Sequence, residues 1–250
     1  MEGGRNSLNF IGCDPGAVRH GNFINYYKFN SVDNRLKLLP EDIWTINNHG
    51  DLICLDIGCN SGDLTQELYK CFVKNCIRTK CNNGKEEIKQ ECYLLGIDLD
   101  PTLVSRAVEN NQYPNNVSYY CENYMSEGKN FISTYLTSYR RDIFDIIFCF
   151  SVTMWIHINH GDEGLRHFLK KMSKQTKMLV IEPQPWKCYR TAVRRLKRSG
   201  EDFCQFPDLK IRNNVTVEIE NILCNECNFI KIKETENTEW GRKLQFFKRQ

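Results

Sequence analysis

Short apolar runs alternate along the chain with longer amphipathic stretches from residue 51 onward. The short runs are almost continuously apolar, as in strands buried on both faces, whereas the longer stretches place apolar residues every three or four positions, as on one face of a helix. This alternation predicts an α/β fold with a mainly parallel sheet and helices on both faces. The predicted strands are 52–57, 92–97, 117–121, 144–150 and 178–181, and the predicted helices are 63–73, 101–109, 129–139, 164–172 and 189–197.

The end of the chain departs from this pattern. Residues 215–223 predict a helix, and residues 229–233 and 244–248 predict two closing strands that would pair in an antiparallel hairpin. Residues 75–90 are rich in Lys, Asn and Glu and are typical of an inserted surface loop. We therefore expect one domain over residues 51–250, preceded by an N-terminal arm of residues 1–50.

Composition and charge exclude several classes of protein. With 41% hydrophobic and 26% charged residues, the chain is neither intrinsically disordered nor collagen-like. The longest apolar run, 146–150, is far below the roughly 20 residues of a membrane span, and residues 1–9 are polar, which predicts a cytoplasmic protein. A net charge of +3 is too small to indicate nucleic-acid binding by bulk charge, so an acidic partner must meet a local patch.

The cysteines favour a reducing compartment. Their number, 13, is odd, and several fall within predicted strands, where free thiols act as small apolar core residues. The pair Cys224 and Cys227, and the trio Cys71, Cys76 and Cys81, have side chains that bind metals. A structural zinc site requires two tight pairs or a pair with histidines, so we expect no metal and keep zinc as the minority alternative.

Candidate ligand-binding residues lie at the ends of the predicted strands, where open α/β sheets bind their ligands. The first strand leads through Asp56 into a turn that contains Gly58, Asn60 and Gly62, so that backbone can approach a nucleotide closely. The spacing matches neither the dinucleotide fingerprint nor the phosphate loop. A Gly-x-x-x-Gly segment is also compatible with an ordinary strand-to-helix turn.

Polar residues follow the next two strands. Asp98 ends the second strand, where a carboxylate can accept hydrogen bonds from both ribose hydroxyls, and Asp100 precedes Pro101 as a helix cap. Asn123 and Tyr124 follow the third strand, where they can bind and stack on a purine, although Asn is also a common turn residue.

These residues together resemble the seven-stranded, Rossmann-like methyltransferases that use S-adenosylmethionine. Longer segments, 19–27, 144–165 and 180–189, are similar to the bicoid-interacting family of RNA methyltransferases, and the likeness covers nearly the whole chain. The resemblance implies that Asp56, Gly58 and Gly62 shape the cofactor loop. It implies that the cofactor is bound by Tyr27, Arg35, Asn60, Asp98, Asn123, Tyr124 and Phe150.

Within this family, the chain resembles the branch that methylates the 5′-monophosphate of RNA more than the enzymes that cap the γ-phosphate of small nuclear RNA. The capping branch carries Lys where this chain has Met154, and an apolar side chain argues against triphosphate recognition. We expect a monomeric enzyme that acts on small RNAs, such as precursor microRNA or tRNA, and loss of charge at the RNA end predicts regulation of RNA processing. A γ-phosphate capping enzyme and a non-catalytic RNA-binding scaffold are the alternatives.

Methylation of a phosphate needs cations and hydrogen-bond donors rather than a strong base, because a terminal phosphate already carries anionic oxygen at neutral pH. Tyr26, His160 and Lys187 are the candidate catalytic residues, with Arg19 and His20 as candidate RNA contacts. For His160, fixing local geometry is an equally good interpretation, and for the nearby His157 it is the better one.

Aromatic and basic residues complete the candidate RNA surface. Trp155 and Trp186 are candidates for stacking on the terminal base, although a Trp at a strand end is more often part of the core. Lys187 shares one helical face with Arg190, Arg194 and Arg198, which predicts a track for the RNA backbone. Glu182 receives no definite role.

Overall fold

The computed structural model describes residues 17–40, 42–44, 50–76, 91–127 and 131–250. Its seven-stranded sheet has the strand order β3-β2-β1-β4-β5-β7-β6, which confirms the α/β class. The parallel strands are β1 (Leu52–Ile57), β2 (Cys92–Asp98), β3 (Val117–Cys121), β4 (Phe144–Phe150) and β5 (Thr176–Glu182). The predicted hairpin is present as β6 (Phe229–Glu234) and β7 (Gln245–Arg249), and β7 runs antiparallel to β5.

Helices cover both faces of this sheet. Alternate residues of β1 belong to two separate apolar clusters, with Leu55 in one and Cys54 in the other, so both faces of the strand are buried. The helices are α1 (Ala17–His20), α2 (Tyr26–Phe29), α3 (Val32–Leu38), α4 (Asp63–Cys76), α5 (Pro101–Glu109), α6 (Phe131–Ser138), α7 (Thr153–Lys174), α8 (Trp186–Arg198) and α9 (Val215–Glu226).

Helix α7 begins earlier than the sequence pattern indicated. The sequence pattern predicted a strand at 144–150 and the next helix only at 164–172, but the chain is helical from Thr153 and is interrupted only at Gly161, where φ is 74°. Met154 and Ile158, four residues apart, are both buried on the α7 face that packs into the core. Burial of that apolar face outweighs the weak helix propensity of the surrounding His, Asn and Gly residues.

The segment before β1 packs against the sheet. Trp44 lies among the rings of Phe72, Phe148 and Phe246, with centroids 5.0 to 6.4 Å away, and α3 contacts α4. The division of the chain at residue 50 stays a prediction. Most of the expected surface loop, residues 77–90, lies outside the described residues.

Cys224 and Cys227 are half-buried free thiols, and the described residues contain no cluster of three or more His, Cys, Asp or Glu side chains placed to hold a metal ion. The side chains of Cys76 and Cys81 lie outside the described part. Within the described ranges, no helix has both the length and the apolarity required to cross a bilayer.

Candidate active site

A cavity of about 350 Å³, here called the first cavity, lies at the carboxyl ends of the parallel strands. Its floor is formed by the residues that end β1, β2 and β4, and residues from the segment before β1 and from α7 close its sides. The predicted residues that line it are His20, Tyr26, Gly58, Asn60, Asp98, Asn123, Tyr124, Phe150, Trp155 and His160.

The turn after β1 depends on its glycines. Gly58 has φ of +78°, and a Cβ atom there would lie 2.4 Å from Cγ2 of Val152. Gly62 has φ of +82°, and a Cβ atom there would lie 2.6 Å from Oη of Tyr119. Both positions therefore require glycine, but only Gly58 contributes to the wall of the first cavity, whereas Gly62 packs behind it.

Asp98 presents a buried carboxylate to the first cavity. Its Oδ2 accepts a hydrogen bond from the backbone N–H of Asn60 at 3.0 Å, and its Oδ1 accepts one from the N–H of Asp100 at 3.0 Å. Burial raises the pKa of Asp98 to about 6. Each oxygen retains further lone pairs, so the carboxylate can still accept bonds from a diol in the cavity.

Asp100 has the capping role that the sequence predicted. Its Oδ1 accepts a hydrogen bond from the backbone N–H of Thr102 at 2.8 Å, at the start of α5. Its Oδ2 accepts a second bond from the side-chain amide of Asn22 at 2.7 Å. The same carboxylate therefore connects the segment before β1 to the edge of the first cavity.

Two other predicted cofactor residues support the loop from outside the cavity. The buried carboxylate of Asp56 accepts a hydrogen bond from Oγ1 of Thr65 at 2.6 Å, and burial raises its pKa to about 6. The hydroxyl of Tyr27 donates to the backbone carbonyl of Cys59 at 3.3 Å. Both side chains hold the turn after β1, and neither lines the first cavity.

The aromatic wall of the first cavity is fixed by contacts with the core. Tyr124 packs edge-on against Phe168, with centroids 5.5 Å apart, and its hydroxyl donates to Oε1 of Gln175 at 2.6 Å. The amide oxygen of Asn123 accepts the backbone N–H of Met125 at 3.0 Å. These contacts set the positions of the two side chains before any ligand binds.

A wider cavity of about 1290 Å³, here called the second cavity, adjoins the first. The two share Gly21, Tyr26, Ser151 and Trp155 as lining residues, so these residues lie at their junction. Gly21 has φ of +75°, and a Cβ atom there would lie 2.0 Å from Cε2 of Trp155, so glycine allows backbone to lie against the indole. The basic residues that line the second cavity are Lys187, Arg190, Arg194, Arg195 and Arg242.

The histidines have two different environments. His20 and His160 line the first cavity, and burial lowers the pKa of both below the usual value, which favours the neutral imidazole at pH 7. His157 is fully buried, with Nδ1 2.9 Å from the hydroxyl of Tyr189 and Nε2 2.7 Å from Oδ1 of Asp162. His157 thus holds α7 to its neighbours, as the structural interpretation predicted.

Arg35 lies behind Tyr26 rather than in the wall of either cavity. It is completely buried and forms an ion pair with Glu182, with Nη2 2.7 Å from Oε2. The same Nη2 donates to the hydroxyl oxygen of Tyr26 at 2.6 Å. Arg35 therefore helps to position the Tyr26 side chain at the junction of the two cavities. Its predicted contact with the cofactor stays a prediction.

Three predicted RNA-binding residues, Arg19, Trp186 and Arg198, lie outside both cavities. Arg19 donates to Glu201 on the surface. Trp186 stacks with Phe206 at 5.3 Å and also contacts Tyr189, and its predicted stacking on a base stays a prediction. These contacts bury part of the indole in the apolar cluster beneath α8.

The basic residues of α8 that line the second cavity differ in one position from the predicted set. Lys187, Arg190 and Arg194 line the second cavity, as helical spacing indicated, but Arg198 does not. Arg195 lines it instead, with its guanidinium 5.6 Å from the ring centroid of Phe23. The turn that Arg198 occupies extends beyond the cavity.

Sequence reasoning missed Ser151, Trp240 and Arg242. Ser151 and Arg242 lie within hydrogen-bond distance of each other, although 91 positions separate them. One signal was available: β7 runs antiparallel to β5, so the segment before β7 must lie at the end of the sheet where β5 finishes. A predicted hairpin with a basic residue before its second strand could have been placed at the site by that argument.

Comparison with known proteins identifies relatives of this chain. Residues 144–249 match the family model described as Bicoid-interacting protein 3 (Bin3). The chain is 38% identical over 245 residues to the "Pre-miRNA 5'-monophosphate methyltransferase" of Danio rerio, with 95% of this chain and 94% of that protein covered. It is 39% identical over 242 residues to the "RNA 5'-monophosphate methyltransferase" of Homo sapiens, with 94% and 82% covered.

A solved structure provides an independent view of the fold. The N-methyltransferase NodS from Bradyrhizobium japonicum WM9, in complex with S-adenosyl-L-homocysteine, has a TM-score of 0.53 and 14% identity, with 90% of each chain covered. This similarity concerns the fold, whereas the relatives above share sequence along almost the whole chain. The chain therefore belongs to the bicoid-interacting protein 3 family.

Proposed function

We propose that this protein is an S-adenosylmethionine-dependent methyltransferase that acts on the 5′-monophosphate of RNA. The observation that carries the proposal is the pair of adjoining cavities. The first has an acidic, nucleoside-type floor, the second has a cationic wall, and Tyr26, Ser151 and Trp155 lie at their junction. This arrangement suits a reaction in which a nucleoside donor meets an anionic acceptor.

The residues of the first cavity fit the donor. The volume of about 350 Å³ lies within the range of small-molecule sites, roughly 300 to 1,000 Å³. Asp98 would accept hydrogen bonds from the ribose hydroxyls, Gly58 would let the loop approach the donor closely, and Phe150 and Tyr124 would provide apolar walls. When bound, S-adenosylmethionine supplies an electrophilic methyl group on a sulfonium centre.

The acceptor needs orientation and charge neutralisation rather than deprotonation, since a terminal phosphate has a second pKa near 6. Lys187 brings a positive charge, and Tyr26 and His160 bring polar groups near the junction. Arg35 donates to the oxygen of Tyr26, so the phenolic hydrogen of Tyr26 is available to donate to a phosphate oxygen. Correct positioning in a site that excludes water accounts for much of the rate of such a transfer.

The second cavity supports the assignment of RNA as the acceptor. Arg190 and Arg194 on α8 provide cations for backbone phosphates. Trp155 is half-buried at the junction, and Phe29, which is 80% exposed, also lines the second cavity. An exposed aromatic ring beside cations is suited to a nucleobase, because bases stack on such rings whatever their sequence.

Met154 favours a monophosphate over a triphosphate. Its side chain lines the second cavity, is almost completely buried, and carries no charge. A triphosphate would bring additional negative charge without an additional cation at this position. The proposed substrates are therefore small RNAs with a monophosphate end, of the precursor microRNA or tRNA type, acted on in the cytoplasm by a monomeric enzyme.

Methyl esters on the terminal phosphate would remove negative charge from the RNA end. Enzymes that recognise such an end through Arg or Lys would bind it less tightly, because charge-assisted hydrogen bonds are among the stronger ones. We propose regulation of RNA processing as the consequence.

The test uses one RNA sequence with three different ends. The protein is incubated with labelled S-adenosylmethionine and RNA that ends in a hydroxyl, a monophosphate or a triphosphate. Labelling of the monophosphate RNA alone is expected. Labelling of the triphosphate RNA alone would assign the protein to γ-phosphate capping, and tight binding of the RNA without labelling would assign it to a scaffold role.

A further inference from the structure

The segment between β6 and β7 contributes a cation that the proposed function does not use. Arg242 lines the second cavity with 14% of its side chain exposed. Its backbone is held by a tight turn, in which the N–H of Arg242 donates to Oγ1 of Thr238 at 3.0 Å and its carbonyl accepts the N–H of Thr238 at 2.6 Å. Gly241 permits this turn with φ of +75°.

The neighbouring carboxylate is already occupied by other donors. Oε2 of Glu182 accepts from Nε of Arg35 at 2.8 Å and from Oγ of Ser151 at 3.0 Å. Its Oε1 accepts from Nε1 of Trp240 at 2.6 Å. Arg242 approaches Oε1 only to 3.8 Å, beyond hydrogen-bond distance, so Glu182 attracts its charge without satisfying its N–H groups.

Several N–H groups of the Arg242 guanidinium have no strong hydrogen-bond acceptor among the described residues. Of its five N–H groups, one Nη1 donor reaches Oγ of Ser151, and Nη2 approaches Sγ of Cys188 at 3.9 Å, where a thiol is a weak acceptor. Its Nε is buried and has no hydrogen-bond partner among the described residues. Buried donors are normally satisfied, so the guanidinium of Arg242 has hydrogen-bonding capacity that its protein neighbours leave unused.

We propose that Arg242 is a phosphate-binding residue that donates hydrogen bonds to the non-bridging oxygens of the terminal phosphoryl group. This inference rests on the proposed function. A guanidinium presents its donors as a planar fork that matches two oxygens of one phosphate. Lys187 provides a second cation beside the same turn, since its Nζ lies 3.0 Å from the position of a Cβ atom on Gly241. Ser151 and Glu182 act as positioning residues that aim the guanidinium.

Arg242 would give the second cavity selectivity for the chemical group at the RNA end. The exposed cations Arg190 and Arg194 attract any stretch of RNA backbone, whatever its end. Arg242 is held in one direction by Ser151 at the junction with the first cavity, so it can distinguish an end that carries phosphate from one that carries a hydroxyl. Removal of Arg242 should therefore abolish discrimination rather than general RNA binding.

The experiment measures binding of two otherwise identical RNA hairpins, one with a 5′-monophosphate and one with a 5′-hydroxyl, with saturating S-adenosyl-L-homocysteine present. The native protein should prefer the phosphate end by about 10-fold to 100-fold, as expected for charge-assisted hydrogen bonds. Arg242→Gln should reduce that preference to about 2-fold or less on the same scale, and Arg242→Lys should give an intermediate value. An Arg242→Gln protein with native preference would overturn the proposal.

The neighbouring Lys243 supplies a matched control. It is exposed and pairs with Glu234 on the surface, so Lys243→Gln should retain the native preference for the phosphate end. Affinity for S-adenosyl-L-homocysteine should be unchanged in every variant, which separates loss of a phosphate contact from damage to the first cavity. If Arg242→Gln fails to fold, Arg242→Lys decides: native preference in that variant overturns the proposal, and reduced preference with native cofactor affinity supports it.

Failure of the proposed function would look different. In that case the native protein itself would neither prefer nor methylate the monophosphate RNA. If the native protein does both, and the Arg242 variants keep the native preference, the inference about Arg242 is wrong while the proposed function stands.

Discussion

Nε of Arg35 donates to Oε2 of Glu182 at 2.8 Å, across 147 positions of the sequence, and both side chains are completely buried. This ion pair connects α3 to the end of β5. Because Arg35 also donates to Tyr26, the pair determines where the phenol lies at the junction of the two cavities. The position of a candidate catalytic residue therefore depends on an ion pair that neither cavity exposes.

We predict that Arg35→Met destabilises the protein by about 3 kcal/mol, because it leaves a buried carboxylate without its main partner. The melting temperature should fall by roughly 10 °C for a chain of this size. Differential scanning calorimetry measures both effects. Lys37→Met, at an exposed position of the same helix, should change the melting temperature little.

A second variant separates lost charge from lost packing. Combining Arg35→Met with Glu182→Gln removes both charges of the pair and should recover part of the lost stability. If the double variant is as unstable as the sum of the two single variants, the ion pair does not account for the effect.

We predict that affinity for S-adenosyl-L-homocysteine declines as the pH falls below about 6. Burial raises the pKa of Asp98 to about 6, so its carboxyl group gains a proton in this range and loses acceptor strength toward the ribose hydroxyls. Isothermal titration calorimetry over a pH series provides the measurement. Below the pKa, affinity should decrease up to tenfold for each pH unit.

The effect on stability has the opposite sign. A carboxyl group whose pKa is raised in the folded state binds protons more tightly there than in the unfolded chain. Its stabilising contribution is complete below the unfolded value of about 3.9 and is lost as the pH rises through about 6. Weaker cofactor binding in acid therefore cannot be attributed to unfolding caused by Asp98.

Asp98→Asn supplies the control for this pH dependence. The variant should bind S-adenosyl-L-homocysteine about 10-fold to 100-fold more weakly at neutral pH, since it loses charged hydrogen bonds, and its affinity should no longer change near pH 6. Asp56 has a pKa raised to the same value, so a pH dependence that persists in Asp98→Asn would transfer the effect to Asp56. Glu109→Gln, at an exposed position on α5, should behave like the native protein.

We predict that Arg190→Gln combined with Arg194→Gln weakens RNA binding and its dependence on salt. Each lost phosphate contact should reduce the slope of log affinity against log salt by about 0.7 to 0.9. Fluorescence anisotropy with a labelled RNA at several salt concentrations measures this slope. Unchanged slopes would remove α8 from the RNA-binding surface.

Two further variants at basic residues outside the second cavity extend the salt experiment, and the first of them is its control. Lys248 is exposed and pairs in register with Met178, at the opposite end of the sheet from the cavities, so Lys248→Gln should leave the slope unchanged. Arg198→Gln tests the original sequence prediction. Because Arg198 lies outside the second cavity, we expect a smaller effect than at Arg190 or Arg194.

We predict that Met154→Lys changes the choice of RNA end. Met154 lies in the wall of the second cavity, and a lysine there would extend its ammonium group into the cavity to remain hydrated. Methylation of monophosphate RNA should decrease, and labelling of triphosphate RNA should appear. Met154→Leu conserves volume and should cost less than about 1.5 kcal/mol, with monophosphate selectivity retained.

The parts of the fold that the sequence predicted correctly are those with local causes. The strands from β1 to β5 follow from continuous apolar runs, and the cap at Asp100 follows from a carboxylate one residue before Pro101. Helix α7 was placed too late because Gly161 and its polar neighbours are typical of a loop. Only the packing of Met154 and Ile158 against the core makes that segment helical.

Sequence alone determined the sheet class, the glycine turn at Gly58 and the carboxylate at the end of β2, because periodicity, turn chemistry and chain direction are encoded over a few residues. Tertiary structure decided which cations and rings face the site. Arg242 enters the second cavity, where it contacts Ser151. Trp186 packs outside that cavity, where it stacks on Phe206. Both contacts join separate segments of the chain, so their energies exist only after the sheet has formed.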